Sequence, residues 1–513
     1  MSKQPKTTRV SPLRVGVLLV VSLAVIGAFV YFIRPVVIQA SAPGPTNFAG
    51  YVDVTLTPAY PFETPPGPFQ QDVILAFIVA GRDAPCTPTW GTFYTLDEAA
   101  SDLQIERRIS QLRLTGGQAR VSFGGQLNDE LSTTCTDPGA LADAYESVID
   151  RYELATIDLD IEGVALDDAA AGARRAAAIK TVQDRAVADG RTLSVWLTLP
   201  VDTAGLTDSG RAAVTSMVAA GVEVSGVNGM TMNFGGSKAP QESMGDAVTR
   251  AAKALHGQLW TVFGSADRSF DSTRAWGKVG ITPMIGQNDT PGEVFTLDDA
   301  SQVNGFARDN GVGLVSMWDL NRDATCGHPL PIVLTVVQNT CSGVDQGGVS
   351  FADVLGAQTD ENAFVGSSPS AVQPTPSASP TATSPTVVDD PATSPFAIWD
   401  PLGTYPAGTK VVWKKQVYQA KYWTSGFAPD TPVASAYDTP WTLIGPVLPG
   451  DTPAPPPTMA PNTYDQWNAS TPYLAGSRVQ VGLVPYEAKW WTQGQRPGDT
   501  FSGGSPWVLV YPS

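Results

Sequence analysis

The sequence has 513 residues, which is too long for one ordinary hydrophobic core, so two or more domains are expected. Charged residues make up only 16%, and 49 Asp and Glu against 32 Lys and Arg give a formal net charge of −17. An acidic surface repels phosphate backbones, which argues against nucleic acid as a partner, whereas a neutral polymer such as a polysaccharide is compatible with this balance.

The N-terminus has the pattern of a targeting segment. Lys3, Lys6, Arg9 and Arg14 precede an uncharged apolar run at 15–33, and Arg34 follows it. Such a run can span a bilayer core, whereas a signal-peptide core is normally roughly 7–15 residues long. We therefore predict a basic cytoplasmic tail at 1–14 and a signal anchor at 15–34, which we favour over a signal peptide cleaved near Ala40. Either segment places the remaining chain outside the cytoplasm, secreted or anchored to the cell membrane.

Apolar runs rich in β-branched residues recur along the next part of the chain and predict strands. These runs are 49–54, 72–80, 119–124, 155–163, 193–199, 227–234, 279–285 and 313–320. Most gaps between them have helical composition and spacing. The helical segments are 95–114, 138–152, 169–188, 207–220, 241–256 and 296–309. Strands that alternate with helices indicate parallel pairing through crossovers.

This pattern fits a closed (β/α)₈ TIM barrel over residues 47–345. The first connection, 58–71, is proline-rich and does not look helical, so one outer helix is expected to be missing. An open doubly wound sheet is the competing fold, but it usually has fewer strands, and no glycine-rich phosphate loop follows the first strand.

The tail contains an internal repeat. After a Ser-, Thr- and Pro-rich segment at 366–395, which predicts an extended linker, a set of residues recurs at a spacing of 68. The set is Trp399, Tyr405, Gly408, Val411, Tyr418, Ala420, Lys421, Trp423, Gly426 and Pro429, repeated as Trp467, Tyr473, Gly476, Val479, Tyr486, Ala488, Lys489, Trp491, Gly494 and Pro497. The repeat predicts two small all-β modules, 396–449 and 462–513, joined by a proline-rich linker at 450–461. Because neither copy contains cysteine, each core must come from aromatic residues.

The four cysteines form two local pairs, Cys86 with Cys135 and Cys326 with Cys341. An even number outside the cytoplasm suggests two disulfides, although three pairings are formally open. A zinc site is the competing interpretation. It is disfavoured because no two cysteines have C-x-x-C spacing and the chain has only two histidines. We therefore expect no metal site.

The most informative stretch is 155–163, where Asp158, Asp160 and Glu162 alternate with branched aliphatic residues. On a strand, three carboxyl groups would project from one face. Neighbouring half-buried acids resist ionisation, which destabilises a fold. Such clusters are found mainly at sites that need a proton donor beside a negative charge. At the C-terminal end of a barrel strand, Glu162 is expected at the rim and Asp160 one step deeper. A solvated strand end, pairing with Arg and a calcium loop compete, but Ala169 stands where a calcium loop needs an acid.

This stretch resembles the D-G-x-D-x-D-x-E signature of glycoside hydrolase family 18, the chitinases and their relatives. Residues 122–125 resemble its S-x-G-G motif, 230–234 its M-x-M-D-Y segment, and 283–289 and 316–318 the ends of its last two strands. Ala155 and Thr156 replace the first Asp and Gly of the signature, and Asn233 and Phe234 stand where members commonly carry Asp and Tyr. The tail copies resemble the chitin-binding type 3 module of carbohydrate-binding families 5 and 12.

The resemblance implies hydrolysis of β-1,4 linkages between N-acetylglucosamine units, with retention, by attack of the substrate's own N-acetyl oxygen on C1. It implies that Glu162 protonates the leaving oxygen, that Asp160 orients the acetamido group, and that Asp158 shares a proton or hydrogen bond with Asp160. Trp318 would be the apolar floor under the sugar, with ordinary barrel core as the alternative. The remaining substrate-binding residues implied are Ser122, Met232, Asn233 and Gln287. No metal or organic cofactor is implied.

In the tail, Tyr422, Trp423, Trp490 and Trp491 would stack on sugar rings. Since adjacent strand residues face opposite ways, one ring of each pair is expected in the core and one on the surface. The leading hypothesis is a monomeric, exported chitinase acting on chitin or a related N-acetylglucosamine polymer. The alternatives are a weakly active or non-catalytic chitin-binding, lectin-like protein, and a hydrolase of another N-acetylated glycan.

Overall fold

The computed structural model describes residues 47–327, 337–357, 388–433, 438–453, 455–499 and 505–511. The predicted cytoplasmic tail at 1–14, the signal anchor at 15–34 and most of the linker at 366–395 lie outside these residues. Within the described ranges, no helix combines the length and the apolar character needed to cross a bilayer.

The N-terminal part contains a ring of eight parallel strands. The strands of this part, including short antiparallel ones outside the ring, are in chain order β1 (Asn47–Phe48), β2 (Gly50–Asp53), β3 (Asp72–Gly81), β4 (Ala84–Trp90), β5 (Tyr94–Thr95), β6 (Gln118–Gly124), β7 (Thr156–Asp160), β8 (Ser194–Asp202), β9 (Gly205–Leu206), β10 (Val224–Met230), β11 (Val279–Thr282), β12 (Gly286–Gln287), β13 (Val294–Phe295) and β14 (Leu314–Val315). β1 and β2 together form one strand of the ring. Parallel neighbours follow the order β3, β6, β7, β8, β10, β11, β14. β2 pairs with β3 and β1 pairs with β14, and only Ala49 separates β1 from β2, so the ring closes. The predicted (β/α)₈ barrel is confirmed.

Helices surround this ring because their apolar stripes pack on the outer faces of the strands. They are α1 (Leu96–Glu98), α2 (Ile105–Leu114), α3 (Leu131–Thr134), α4 (Pro138–Arg151), α5 (Gly163–Asp167), α6 (Ala169–Ala188), α7 (Asp208–Ala219), α8 (Met244–Ala266), α9 (Ser272–Trp276), α10 (Leu297–Asn310) and α11 (Phe351–Gly356). The connection at 54–71 contains only the 3-10 turn Pro68–Gln70, so the expected absence of an outer helix there is confirmed.

A hairpin absent from the sequence-based prediction projects from the barrel. β3 continues past the ring and pairs antiparallel with β4, which in turn pairs with β5. The disulfide Cys86–Cys135 ties this hairpin to the segment that follows α3, and Cys326–Cys341 forms the second disulfide. Both predicted pairings are confirmed. The disulfide therefore fixes the hairpin to the barrel near the C-terminal ends of β3 and β6.

The barrel extends beyond its predicted end at residue 345. The side chain of Asn304 on α10 donates to the backbone oxygens of Leu355 (2.8 Å) and Ala357 (2.9 Å), so α11 belongs to the barrel. This extension escaped prediction because composition alone does not reveal a tertiary hydrogen bond.

The tail folds as two antiparallel modules. Module 1 contains β15 (Thr404–Tyr405), β16 (Lys410–Trp413), β17 (Gln416–Ala420), β18 (Thr424–Ser425) and β19 (Trp441–Pro446), and module 2 contains β20 (Arg478–Val481), β21 (Val484–Ala488) and β22 (Trp507–Leu509). Repeat-equivalent residues form the two cores. These are Trp399, Tyr405, Val411, Ala420 and Trp441 in module 1, and Trp467, Tyr473, Val479, Ala488 and Trp507 in module 2. Aromatic residues supply these cores, as predicted.

The described ends of the predicted linkers are packed against the modules. Asp389, assigned to the linker at 366–395, accepts hydrogen bonds from the backbone N–H groups of Lys414 and Lys415, each at 2.7 Å. In the predicted linker at 450–461, the N–H of Met459 donates to the oxygen of Leu483 at 2.9 Å. Both segments are proline-rich, and their packing depends on neighbours that their own composition does not specify.

Candidate active site

The three acids of 155–163 lie at the C-terminal end of β7. β7 ends at Asp160, and Glu162 is the N-terminal flanking residue of α5, two residues beyond it. Asp158 and Asp160 are 2% and 4% exposed, and Glu162 is half-buried at the rim. The order of depth matches the prediction, and the strand geometry excludes the calcium-loop interpretation because such a loop is not extended.

Asp158 is held by hydroxyl groups of three other strands, the adjacent β6 and β8 and the non-adjacent β2. Its carboxylate accepts from Tyr51 Oη (2.8 Å), Ser122 Oγ (2.7 Å) and Thr198 Oγ1 (2.7 Å). Burial raises the pKa of Asp158, whereas these donors and the charge of Arg120 oppose that rise. Both oxygens of the Asp158 carboxylate thus accept hydrogen bonds from hydroxyl groups, and the proton or hydrogen bond shared with Asp160 stays a prediction.

Asp160 has the opposite environment. Its Oδ1 is buried and has no hydrogen-bond partner among the described residues. Burial raises the pKa of Asp160 well above its usual range, and the charges of Glu162 and Asp158 add to the effect. Burial also raises the pKa of Glu162 to about 7. A proton donor is thus available near neutral pH beside a carboxyl group that is poorly solvated.

A cavity of about 560 Å³, including its open mouth, lies over these acids. Its lining includes Tyr51, Phe77, Gln126, Asp160, Glu162, Thr198, Met230, Met232, Asn233, Thr282, Met284, Asp289 and Trp318. Of the predicted substrate-binding residues, Met232, Asn233 and Trp318 therefore reach the cavity. Ser122 lies behind Asp158, fully buried, and acts on the site through that carboxylate.

Gln287 is not among the cavity-lining residues, which differs from its predicted place. It lies on β12, which pairs with β13 in a separate two-stranded sheet, and its backbone oxygen accepts from Arg322 at 2.7 Å. The turn that follows β12 instead brings the side chain of Asp289 to the cavity wall. The sequence pattern located the segment, but the local hairpin decides which residue faces the cavity.

Aromatic rings form one side of the cavity. Trp318 stacks on Phe77 with ring centroids 5.5 Å apart and planes 17° apart, and Tyr51 lies 5.8 Å from Trp318. Trp318 is only partly buried and lines the cavity, so its environment is that of a cavity wall rather than ordinary barrel core. Flat apolar faces of sugar rings pack favourably on such surfaces.

Asn233 has a fixed amide orientation. Its Nδ2 donates to Asp289 Oδ2 at 3.1 Å, and its Oδ1 accepts from the N–H of Thr290 at 3.0 Å. Its backbone is left-handed, with φ of 51°, a conformation that Asn tolerates better than most residues. An Asp at this position would place a second carboxylate against Asp289, so the pair explains why an amide stands here.

All four predicted tail aromatics are exposed. Tyr422 and Trp423 are 50% and 63% exposed, and Trp490 and Trp491 are 43% and 58% exposed. The expectation that one ring of each pair lies in the core is wrong. β17 ends at Ala420 and β21 at Ala488, so both pairs lie in bends after the strands, where alternation of faces does not apply.

Comparisons with known proteins agree with this geometry. The chain is 36% identical over 263 residues to the probable bifunctional chitinase/lysozyme of Escherichia coli K12, and 35% identical over 273 residues to endochitinase 11 of Metarhizium anisopliae. The catalytic domain of the hyperthermophilic chitinase from Pyrococcus furiosus superposes with a TM-score of 0.51 and 26% identity, covering 61% of this chain and 94% of that structure. The barrel is therefore similar in sequence to parts of two chitinases and in fold to the catalytic domain of a third.

The extent of these matches is partial. The alignments cover 50% and 52% of this chain, and they span 28% of the Escherichia coli protein and 49% of the Metarhizium protein. No protein-family model matches the chain. Within the described ranges of the chitinase-like barrel and the tail, no group of three or more His, Cys, Asp or Glu side chains is arranged to hold a metal ion.

Several cavity residues of the chitinase-like barrel were not predicted. Tyr51 and Phe77 lie on β2 and β3, where apolar residues predict only core packing, and Gln126 and Asp289 lie in loops. For Gln126 and Asp289 the signal that was available is positional, since both lie beyond the C-terminal end of a strand, where barrel sites are built. Tyr51 and Phe77 lie inside their strands and carry no such signal.

Proposed function

We propose that this chain is a chitinase that hydrolyses β-1,4 linkages between N-acetylglucosamine units with retention of configuration. One observation carries the proposal. A half-buried glutamic acid whose pKa is raised to about 7 faces a cavity with an aromatic side, next to a buried, unpartnered aspartic acid. Similarity to chitinases from a bacterium, a fungus and an archaeon supports the same substrate class.

The reaction follows from the placement of these groups. The acetamido oxygen of the bound sugar attacks C1, the C1–O glycosidic bond breaks, and the leaving oxygen takes the proton of Glu162. Water then attacks C1, the bond between C1 and the acetamido oxygen breaks, and Glu162 recovers a proton from that water. The unpartnered Oδ1 of Asp160 accepts a hydrogen bond from the acetamido N–H, which aims the attacking oxygen. The fixed Asp158 carboxylate stabilises the positive charge that develops.

The tail extends the proposal to chitin binding. Two exposed aromatic pairs at equivalent positions of the two modules, Tyr422 with Trp423 and Trp490 with Trp491, offer apolar surfaces to sugar rings. We also propose that the protein acts outside the cytoplasm, secreted or held at the membrane by residues 15–34, because disulfides persist in oxidising compartments. Its proposed partner is chitin or a related N-acetylglucosamine polymer, bound by a monomer.

Replacement of Glu162 by Gln tests the catalytic proposal. The amide has nearly the same shape but cannot deliver a proton, so turnover of a fluorogenic chitotriose substrate should fall by about 10³-fold or more. Retained pull-down on insoluble chitin is the control for folding of the tail. If the wild-type protein binds chitin but shows no turnover, the lectin-like alternative holds. Turnover only on a panel of other N-acetylated glycans would favour the third hypothesis.

A further inference from the structure

The outer face of α2 is covered although it points away from the barrel core. Arg107 and Gln111 lie four residues apart, so they share one face of the helix. They are only 5% and 8% exposed, low values for long polar side chains on an outer helix. The residues that cover them belong to β19 and the turn after it in module 1.

A charged pair joins the two parts. Arg107 Nη1 and Nη2 each lie 3.0 Å from a carboxylate oxygen of Asp451, in a bidentate arrangement, and Nη1 also donates to the backbone oxygen of Pro446. On the barrel side, Gln104 Oε1 accepts from Arg107 Nε at 2.9 Å and orients the guanidinium. The side chains of the pair are 5% and 14% exposed. A pair this shielded from water is strongly directional, and removing one partner leaves a charge without compensation.

The backbones approach so closely at Gly445 that they leave no room for a side chain. A Cβ atom at this residue would lie 2.6 Å from the backbone oxygen of Arg107 and 3.1 Å from Cβ of Gln111. Gly445 also has φ of 145°, next to a register shift between β17 and β19. Both observations require glycine at the position that touches α2.

The second copy of the repeat differs at this position. Residues 441–446 read Trp-Thr-Leu-Ile-Gly-Pro, and the equivalent residues 507–512 read Trp-Val-Leu-Val-Tyr-Pro. Tyr511, the equivalent of Gly445, packs on Tyr405 of module 1 with ring centroids 5.9 Å apart. The same strand position therefore contacts the barrel in one copy and module 1 in the other, and only the first copy can approach α2.

The edge of the contact contains polar groups. A hollow lined by Glu63, Asp102, Gln104, Arg108 and Lys410, among others, lies between α2 and β16. Burial lowers the pKa of Lys410, and the nearby charge of Arg107 adds to that effect. The charge of Asp102 raises the pKa of Lys410 instead. The hollow therefore contains charges of both signs, contributed by the barrel and by module 1.

We propose that β19 of module 1 docks on the outer face of α2 in solution, so that this contact sets the position of the module relative to the barrel and its cleft. The surface on the barrel is made by Arg107 and Gln111, and its partner is the Gly445–Asp451 segment of the same chain. Module 2 is held against module 1 by two contacts. Lys489 Nζ lies 2.8 Å from Asp400 Oδ2, and Tyr511 packs on Tyr405. The inference concerns how the parts are held and does not depend on the proposed function.

The glycine at the close approach tests the docking. Gly445→Ala places a Cβ atom 2.6 Å from the backbone oxygen of Arg107, so it should push module 1 away from α2. The matched control is Gly450→Ala, which shares the positive φ but has nothing within 4 Å of the added Cβ. Small-angle scattering of the full chain measures the maximum dimension, and a melting curve of each variant checks its folding.

Docking predicts a larger maximum dimension for Gly445→Ala than for the wild type and the Gly450→Ala control. Equal dimensions in all three proteins would overturn the proposal. If Gly445→Ala does not fold, small-angle scattering of Arg107→Met provides the second measurement, with Arg113→Met on the same helix as control. Docking predicts a larger maximum dimension for Arg107→Met alone, and an unchanged dimension would overturn it.

Discussion

The environments of Asp158, Asp160 and Glu162 separate their protonation states. Asp158 faces three hydroxyl donors, Asp160 Oδ1 has no partner among the described residues, and Glu162 lies at the rim. Donors favour the charged form of a carboxyl group, whereas burial without donors favours the neutral form. Three acids spaced two residues apart therefore have environments that favour different degrees of protonation.

The raised pKa of Glu162 predicts an alkaline limit to activity. In the proposed mechanism Glu162 must be protonated to act as the general acid. Burial raises its pKa to about 7, so kcat/KM for chitotriose should decline as pH rises through that value. A pH–rate profile over roughly pH 5 to 9 measures this limb. The control is a melting curve at each pH, which separates titration from unfolding. A rate that stays constant up to the top of this range contradicts the assignment.

The raised pKa of Asp160 predicts a stability effect of Asp160→Asn. The pKa of this acid is higher in the folded protein than in the unfolded chain. As pH rises toward the folded value, the unfolded chain ionises first, and the free energy of unfolding of the protein falls. Asparagine cannot ionise, so the melting temperature of the variant should be roughly a few degrees above that of the wild type near neutral pH. The difference in melting temperature should be smaller at low pH. Calorimetry at two pH values tests this. A gain independent of pH would point to packing instead of titration.

At the scale of single elements, helices with clear caps were predicted closely from the sequence. The helical segment predicted at 169–188 coincides with α6, whose N-terminus is capped by the Asp168 side chain. The acid-bearing strand was also located, as β7. In both cases the signal is local, since periodicity and capping depend only on nearby residues.

Elements shaped by tertiary contacts were not predicted. The β4 hairpin depends on β3 continuing past the ring, and Met232 and Asn233 lie beyond the end of β10 because the chain there follows bonds to the 288–293 loop. Gln287 was misplaced for the same kind of reason. Such outcomes depend on partners distant in sequence, and a single sequence without its fold does not identify them.

The exposed rings in the bends after β17 and β21 are the proposed chitin-binding surface. Tyr422→Ala with Trp423→Ala removes two exposed rings, so affinity for insoluble chitin should fall about 5- to 10-fold without a change in the melting temperature. Depletion isotherms on insoluble chitin measure the affinity. Trp441→Ala, which removes a core ring of the same module, is the contrasting variant and should lower the melting temperature. Unchanged binding after loss of the exposed rings would assign binding elsewhere.

At the scale of the whole molecule, the described parts beyond residue 46 are joined by specific contacts. Arg107 with Asp451 links the barrel to module 1, and Asp400 with Lys489 links module 1 to module 2. A partly buried ion pair with defined geometry restricts orientation more than a surface pair does. The orientation of the exposed rings relative to the cleft would then be constant during action on a surface.

Fixed orientation predicts a substrate-dependent effect of Arg107→Met. Soluble chitotriose needs only the cleft, so its kcat/KM should be unchanged, whereas turnover of insoluble chitin should fall by about threefold because the bound modules no longer aim the cleft at the chain. Reducing-sugar release from insoluble chitin measures the second quantity. Arg113→Met should alter neither, and an equal loss on both substrates would indicate damage to the barrel.

The glycine at 445 and the tyrosine at 511 have a consequence for the ancestry of the tail. Two copies produced by duplication begin as interchangeable parts, and a swap of their order would at first change nothing. Here one position has diverged so that each copy recognises a different neighbour. A chimera with the copies exchanged would bring a bulky ring against the helix and a bare backbone where an aromatic contact lies, so we expect it to lose both contacts.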